Sequence, residues 1–436
     1  MNAKILLVNP PIYDFAAYDF WLKPYGLLSI AGYLRGKARF TLFDYLDRQH
    51  RFMQDKAKLQ SNIWGLGRFY CEQITKPAPL RSIPRHFRRF GLPRKTFEQF
   101  LQKNRPWDYV FVQTVMTYWY PGVAEVIDDI RKIIPGAKIV LGGNYVTLCK
   151  THAQGLRADL LVSGTDLEPL WQYVGIKPDV IQPPLWEAYE QLQTGVLKLS
   201  DGCPFNCTYC SVPKVYGRFK ARPAQRASAE IELLAALGVT NIAFYDDALL
   251  FEADEVLIPF LHDLLKRSIR PNLHSPNALN ARLMTKDLAE LMVAAGFKTF
   301  YLGFESLSEK WQRRTGGKVS SAELAEAVNC LTTAGAEPTA ITAYQILGHP
   351  DSDTQHLEES MRFVHSLGIR GMLADFSPIP GTEDGEHCRK WVDMDEPLMH
   401  NKTAFPIIRL GFDETNRLKN LQHRLNADLQ SNVFAK

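Results

Sequence analysis

No apolar run in these 436 residues is long enough to span a bilayer, and the chain passes from Lys4 through a short apolar stretch at 5–8 into Pro10-Pro11. That pattern predicts a buried strand rather than a signal peptide. Cysteine is sparse, at seven residues, and Cys71, Cys149, Cys330 and Cys388 follow no framework spacing. A disulfide scaffold is therefore excluded, and a reducing compartment, the cytoplasm, is expected. The other three cysteines have no second cysteine or histidine pair nearby, which argues against a four-ligand structural zinc. With 46% hydrophobic and 22% charged residues, the chain is neither disordered nor fibrous. Its length exceeds what one core organises, so two domains and a tail are expected.

Acidic residues are scarce in one place. Residues 48–105 hold 14 lysines and arginines against 3 aspartates and glutamates, a local +11 in a chain of net +4. Such a segment could meet phosphates or an acidic protein surface. Its interleaved aromatics, Trp64, Phe69, Tyr70, Phe87, Phe90, Phe97 and Phe100, favour a packed collar with basic side chains snorkelling to water, and nucleic acid is not the expected partner.

Residues 4–8, 107–113, 137–141 and 158–162 are short apolar runs that predict strands of a parallel sheet. Residues 121–134 are apolar at helical spacing and stop at Pro135-Gly136. The first part is thus a doubly wound, Rossmann-like α/β domain over 1–177 with a basic insertion at 48–105. Residues 178–195, with Pro183-Pro184, read as a linker. Strands are expected at 196–199, 241–245, 271–275, 299–304, 341–347 and 372–376. Helices between them close at Gly238, Gly296, Gly335 and Gly368 and start near Ser228, Thr285, Ser320 and Asp353. Six β/α units predict an open, partial (β/α)6 TIM-type barrel over 196–385, its site at the carboxyl ends of the strands. The extension 386–436 ends in an amphipathic helix at 413–429, for core packing or a dimer face. Glu396 to Asn401 would either close over the barrel mouth or form a surface strap.

Cys203, Cys207 and Cys210 lie in the loop after the first barrel strand. Three thiolates at that spacing ligate three irons of a four-iron cluster and leave the fourth open. A redox disulfide at Cys207-x-x-Cys210 would leave Cys203 unexplained.

The Cys-x-x-x-Cys-x-x-Cys run with Tyr209 before its last cysteine resembles the signature of radical S-adenosylmethionine enzymes. The resemblance implies a [4Fe-4S] cluster on Cys203, Cys207 and Cys210, with S-adenosylmethionine on the open iron and its adenine against Tyr209. Tyr245-Asp246-Asp247 resembles the acidic turn facing the methionine amino group. Asn280-Ala-Arg282, Gly303-Phe-Glu305-Ser306, Gln345-Ile-Leu-Gly348-His349-Pro350 and Pro378-Ile-Pro-Gly-Thr382 resemble the later strand-end motifs of that barrel. Read from the residues alone, His349 is satisfied structure rather than a catalytic base, and Arg222 either contacts a carboxylate or is exposed.

The first half is similar to the cobalamin-binding domains found ahead of this module, through Asn9-Pro-Pro11, the run 23–35, Met116-Thr117 and Gly142-Gly143-x-Tyr145-x-Thr147. The Asp-x-His-x-x-Gly sequence is absent, so the resemblance implies a displaced cobalamin tail with water or a non-histidine residue below cobalt. The two resemblances together imply a deoxyadenosyl radical and a cobalamin-dependent C-methyltransferase. They also imply an external electron donor such as flavodoxin or ferredoxin and a small-molecule or peptide substrate. Rearrangement, cyclisation or oxidation without methyl transfer is the alternative chemistry. A cluster-bearing nucleic-acid or protein-binding module is the alternative of another class.

Overall fold

The computed structural model describes residues 3–54, 61–267, 269–317 and 319–433. They divide into two compact units, the first being Met1–Gly195 with Ala229–Val239 and Asp395–Asn401, the second the remainder.

In the first unit, β1 (Lys4–Asn9), β2 (Arg39–Asp44), β3 (Tyr109–Thr114), β4 (Lys138–Gly143) and β5 (Leu160–Val162) form one parallel sheet. Its order is β5-β4-β3-β1-β2, the doubly wound arrangement expected. Leu7 pairs with Leu42 on one side and Phe111 on the other. Successive side chains point to opposite faces. Leu6 and Val8 join one core with Val110, Val126 and Ile130, while Ile5 and Leu7 join another with Leu27 and Val140. Both faces are covered, which explains a run of uninterrupted apolar residues. The expected helix at 121–134 is Tyr120–Ile133. β2 was not foreseen, because this edge strand opens on an exposed Arg39 and is only half-buried over its middle.

The basic segment carries structure of its own. Arg88–Phe90 pairs antiparallel with both Ile12–Asp14 and Cys71–Gln73, and Gly67–Arg68 pairs with Tyr18–Asp19. Residues 55–60 lie outside the described residues. The aromatic collar is present, with Phe87 and Phe97 fully buried, and Arg51, Arg68, Arg81, Arg85, Lys95 and Lys103 are exposed around it, but three of its arginines are held in ion pairs. Arg89 and Glu125 are buried together at 2.6 Å, Arg94 holds Asp129 at 2.6 Å, and Arg48 holds Asp19 at 3.3 Å. These acids lie outside 48–105, so tertiary ion pairs meet part of the local charge excess.

Residues 178–195 pack into this unit: Leu185 N donates to Leu28 O at 2.9 Å, and Tyr189 Oη donates to the buried Asp44 at 2.5 Å. Burial raises the Asp44 pKa to about 6, Asp47 adding and Lys23 opposing. Glu230 accepts from Tyr25 Oη at 2.9 Å and Trp186 Nε1 at 3.0 Å. Residues 397–401 are not a surface strap, since Pro397, Leu398, His400 and Asn401 are buried. His400 Nδ1 lies 2.9 Å from Thr117 Oγ1, and Asn401 Nδ2 donates to Asp14 Oδ1 at 2.8 Å.

In the second unit, β6 (Thr194–Leu197), β7 (Asn241–Phe244), β8 (Asn272–Asn280), β9 (Phe297–Glu305), β10 (Ile341–Leu347) and β11 (Arg370–Asp375) stand in sequential order. β7 to β11 are paired in parallel, and the sheet is open, as expected. Thr285, Ser320 and Asp353 are N-caps with side-chain bonds, Ser320 in a reciprocal capping box with Glu323. Ser228 is not a cap. It lies inside the helix Ala224–Ala236 and donates to Asp263 Oδ2 at 3.1 Å. β8 and β9 outrun their expected ends because register shifts at Ser275/Leu279 and Gly303/Glu305 carry the pairing past irregular residues.

The terminal helix Phe412–Val433 buries Leu418 and Leu421 against Leu347, Leu357 and Met361. It also covers the edge strand β11: Gly371 N donates to Asn426 Oδ1 at 3.0 Å, and Asn426 Nδ2 donates to Gly371 O at 2.9 Å. That pair imitates a neighbouring strand and blunts an edge open to pairing with other chains. Among the described residues no helix is long and apolar enough to cross a membrane.

Candidate active site

The cysteine loop leaves β6 and is folded back by the antiparallel pair Ser200–Asp201 with Lys220–Ala221. Gly202, at φ 72°, is required there, because a Cβ would lie 2.5 Å from Arg218 O. Cys203, Cys207 and Cys210 are half-buried thiols. Val212 N points at Cys210 Sγ at 3.5 Å, an N–H to sulfur contact that favours thiolate. Gly316 brings its missing side chain within 3.3 Å of Cys207 Cα, so the loop has a close-fitting floor. Three soft donors on one loop, one already receiving an N–H, fit an iron–sulfur cluster.

Around the loop, the strand ends sort the expected residues into occupied and open groups. Asp246 is buried and accepts from Leu199 N at 3.0 Å, Ser200 N at 2.6 Å and Ser200 Oγ at 2.6 Å. Asp247 Oδ2 is buried without a hydrogen bond, its nearest cation Lys198 Nζ at 3.7 Å. Burial raises the Asp247 pKa to about 6, with Lys198 opposing and Asp246 and Asp201 adding. Lys198 is itself buried. Desolvation works against its charge, yet Asp247 and Asp201 hold its pKa above the ordinary lysine value. Arg222 grips Asp201 through two bonds of 2.7 Å, the expected carboxylate contact. Burial would raise the Asp201 pKa, but the Arg222 bonds and Lys198 hold it at about 2.

At the third strand the motif divides. Arg282 is half-exposed, bonded to Glu323 Oε1 at 2.7 Å and Gly317 O at 2.7 Å, whereas Asn280 Nδ2 is buried with no hydrogen-bond partner. Glu305 ends β9 at φ 68°, beside the register shift against Gln345. A non-glycine residue there costs about 1–3 kcal/mol and marks a position held for a purpose. Gln345 is fully buried, donates to Ala343 O at 2.8 Å and leaves Oε1 without a partner. Gly348 turns at φ 86° against Pro406, where a Cβ would come within 2.8 Å. Asp247 after β7, Asn280 at the end of β8 and Gln345 near the end of β10 thus each present a buried polar atom without a hydrogen bond, the condition of a site suited to a polar ligand.

Tyr209 stacks on Trp311, with centroids 6.1 Å apart and planes at 19°. Burial, followed by Glu305 and Cys207, drives its pKa well up, so it remains a neutral phenol. Trp311, Lys198 and Asp384 belong to the site and were not foreseen. The acidic run Glu383-Asp384-Gly385-Glu386 after Pro380-Gly381 was the available signal for Asp384, while Trp311 and Lys198 carry no motif. Asp351, Asp384 and His387 lie within metal-ligand reach of one another, but Arg314 already pairs with both aspartates.

In the first unit, Asn9, Pro10 and Pro11 after β1 and Gln113, Val115 and Met116 at the end of β3 line a pocket with Leu22, Leu46 and Trp119. β1 and β3 are adjacent while their onward connections diverge, the switch point at which doubly wound sheets bind ligands. Met116, which lines the pocket, is exposed, as is Gly143 at the end of β4, and Gly143 at φ 117° approaches Thr114 O so closely that a Cβ would lie 2.1 Å away. The half-buried Gly142 accepts Thr114 Oγ1 on its carbonyl at 3.0 Å. Thr147 ties two loops, donating to Gly143 O and accepting from Gly164 N, each at 2.9 Å. Tyr145 is fully buried, with Oη 2.6 Å from His152 Nδ1. Thr117 is turned to His400. Gln113, Leu22, Leu46 and Trp119 were missed because each carries only a solitary side chain to the pocket.

The radical SAM superfamily model matches residues 197–364. An uncharacterized methyltransferase of Pyrococcus horikoshii is 27% identical over 271 residues, 61% of this chain and 55% of that one. The tRNA-2-methylthio-N(6)-dimethylallyladenosine synthase of Desulfotalea psychrophila is 24% identical over 60% of each chain. The chain spans about half the length of the curated relatives it matches. Among solved structures, the radical S-adenosylmethionine methyltransferase TsrM of Kitasatospora setae, with cobalamin and a [4Fe-4S] cluster bound, aligns at TM-score 0.65 and 14% identity, covering 92% of this chain and 85% of that one. The cobalamin-dependent S-adenosylmethionine radical enzyme OxsB aligns at TM-score 0.56 and 13% identity, over 97% and 61%. At such identities the likeness is one of fold, and it extends over both units. The three-cysteine loop, the six sequential strands and the matched span make residues 197–364 a radical S-adenosylmethionine superfamily domain.

Proposed function

We propose that this chain is a cobalamin-dependent radical S-adenosylmethionine methyltransferase acting on a small molecule or peptide. The observation that carries the reading is the pairing, in one chain, of the three-cysteine barrel with a doubly wound sheet whose pocket opens at its switch point. When bound, the cluster supplies an electron and an open iron for cleavage of the S-adenosylmethionine sulfonium, and cobalamin supplies a methyl carrier.

The protein's own residues bind, orient and exclude water. Cys203, Cys207 and Cys210 hold the cluster. Asp247 receives the methionine ammonium, because Asp246 is consumed by the amides of Leu199 and Ser200. Asn280 and Gln345 supply an amide donor and an amide acceptor to the remaining polar groups of the ligand, and Glu305 and Gly348 shape the adenosine side with Tyr209. Arg282 is assigned to Glu323 rather than to the ligand. In the first unit, Met116, Thr117, Gly142, Gly143, Tyr145 and Thr147 form or support the cobalamin edge. His152 and His400 there are turned to Tyr145 and Thr117. An external one-electron donor of the flavodoxin or ferredoxin kind reduces the cluster, and a reducing cytoplasm suits seven cysteines present as thiols.

Anaerobic reconstitution with iron, sulfide and hydroxocobalamin tests the reading. The expected result is a protein retaining both cluster and corrinoid absorbance that, with reductant, yields S-adenosylhomocysteine and deoxyadenosine. Deoxyadenosine without S-adenosylhomocysteine overturns methyl transfer, and loss of all corrinoid on desalting overturns the assignment of the first unit.

A further inference from the structure

His349 lies in the turn after β10 and is fully buried. Trp311 Nε1 and the backbone N of Asp351 both point at its Nδ1, each at 3.2 Å. An indole N–H and a peptide N–H only donate, so Nδ1 is the acceptor and the proton resides on Nε2. That proton is directed to Asp384 Oδ2, 2.9 Å away. Asp384 is also fully buried. It receives Thr208 Oγ1 on the same oxygen at 2.5 Å and the Arg314 guanidinium on the other, and its own backbone N donates to Thr208 O at 3.2 Å. Thr208 stands between Cys207 and Cys210, and its remaining polar group, the backbone N, donates to Thr315 O at 3.3 Å. All the polar groups of this one loop residue are therefore fixed, two of them by Asp384.

We infer that His349 is a positioning residue for the cluster: by fixing the Asp384 carboxylate it sets the position of Thr208, and with it the spacing of the Cys207 and Cys210 sulfurs. The same ring receives the Trp311 N–H, and Trp311 stacks on Tyr209, so one imidazole steadies both the thiolate loop and the aromatic expected against adenine. His349 acts only through these partners. Arg314 completes the arrangement by meeting the charge of Asp384 and of Asp351 at 2.6 Å, which leaves the histidine free to act as a neutral donor. The inference rests on the cluster reading, since a loop with nothing to ligate would not need its sulfurs spaced.

The test compares wild type, His349→Leu, His349→Gln and Thr208→Val, each reconstituted anaerobically at full length. Iron per chain, the reduced-state electron paramagnetic resonance spectrum and the rate of iron loss to a chelator are measured, with melting temperatures of the apo-proteins. His349→Leu is expected to lose iron at least threefold faster than wild type and to broaden or shift the spectrum. His349→Gln, whose amide N–H replaces the Nε2 donor, should recover most of both. Thr208→Val, which removes only the loop's hydroxyl and leaves His349 and Arg314 on Asp384, should reproduce the leucine phenotype with a smaller loss of melting temperature than His349→Leu, and so keeps the test decisive if His349→Leu fails to fold. Wild-type chelation rates and spectra in both His349→Leu and Thr208→Val overturn the inference while leaving the cluster intact. A wild-type protein that takes up no iron overturns the cluster reading instead, and the inference with it.

Discussion

Two adjacent aspartates of the same chemical type have been given different work by the backbone around them. Asp246 receives three donors from Leu199 and Ser200, so replacing one oxygen by an N–H in Asp246→Asn sets donor against donor in a buried site. The expected cost is about 1–3 kcal/mol of stability, measured by chemical denaturation of the apo-protein. Asp247→Asn breaks no hydrogen bond, but it takes one of two carboxylates from the buried Lys198. It is expected to lower the denaturation midpoint less than Asp246→Asn does while weakening S-adenosylmethionine binding at least tenfold by calorimetry. Wild-type affinity should also fall as pH drops through about 6, the value to which burial raises Asp247, because the protonated acid no longer attracts an ammonium. The doublet was legible in the sequence. Which member is left without a hydrogen bond was not, since the deciding amides lie 46 and 47 residues away.

At the scale of elements, most barrel strands and helix caps were legible because each announces itself within a few residues. A capping serine with glutamate three positions later, as at Ser320 and Glu323, satisfies local amides and needs no tertiary partner. β2 escaped because an edge strand keeps polar residues, and Ser228 misled because its hydroxyl found Asp263 instead of a helix end. The terminal helix was legible as amphipathic, but its service to β11 was not. Asn426→Ala removes both bonds to Gly371 and is expected to destabilise the protein by about 1–3 kcal/mol. Because it also uncovers a sheet edge, concentration-dependent association should appear by light scattering on heating. Loss of stability without association would mean that the helix supports the barrel but does not guard its edge.

Across the whole molecule, part of the charge asymmetry visible in the sequence is taken up by ion pairs between distant segments, as with Arg89 and Glu125. Buried titrating groups then shape the response to pH. His274 is fully buried, with its nitrogens at Asn241 and Thr299, and burial, with Lys298 adding, lowers its pKa from 6.5 to about 3. Its neutral form contributes in full above pH 6.5. As pH falls below that, the unfolded chain takes up a proton the folded one refuses, and the contribution is lost progressively toward pH 3. Asp44 and Asp247, both raised to about 6, act in the opposite sense within the same window. The histidine term is therefore isolated by comparison: the melting temperature of wild type should drop more between pH 7 and 5 than that of His274→Gln.

The sequence by itself determined the chemistry of the cluster loop, because three thiolates within eight residues form a ligand set that no distant contact is needed to assemble. It also determined the two sheets, whose strands are short apolar runs punctuated by glycine and proline. Only the tertiary structure decided what holds that loop. Thr208 is fixed by Asp384, 176 residues away, and Asp384 by His349 and Arg314, a connection that no local pattern marks. A hydrogen bond between buried groups depends on where two segments meet, and that is settled by the packing of the strands between them.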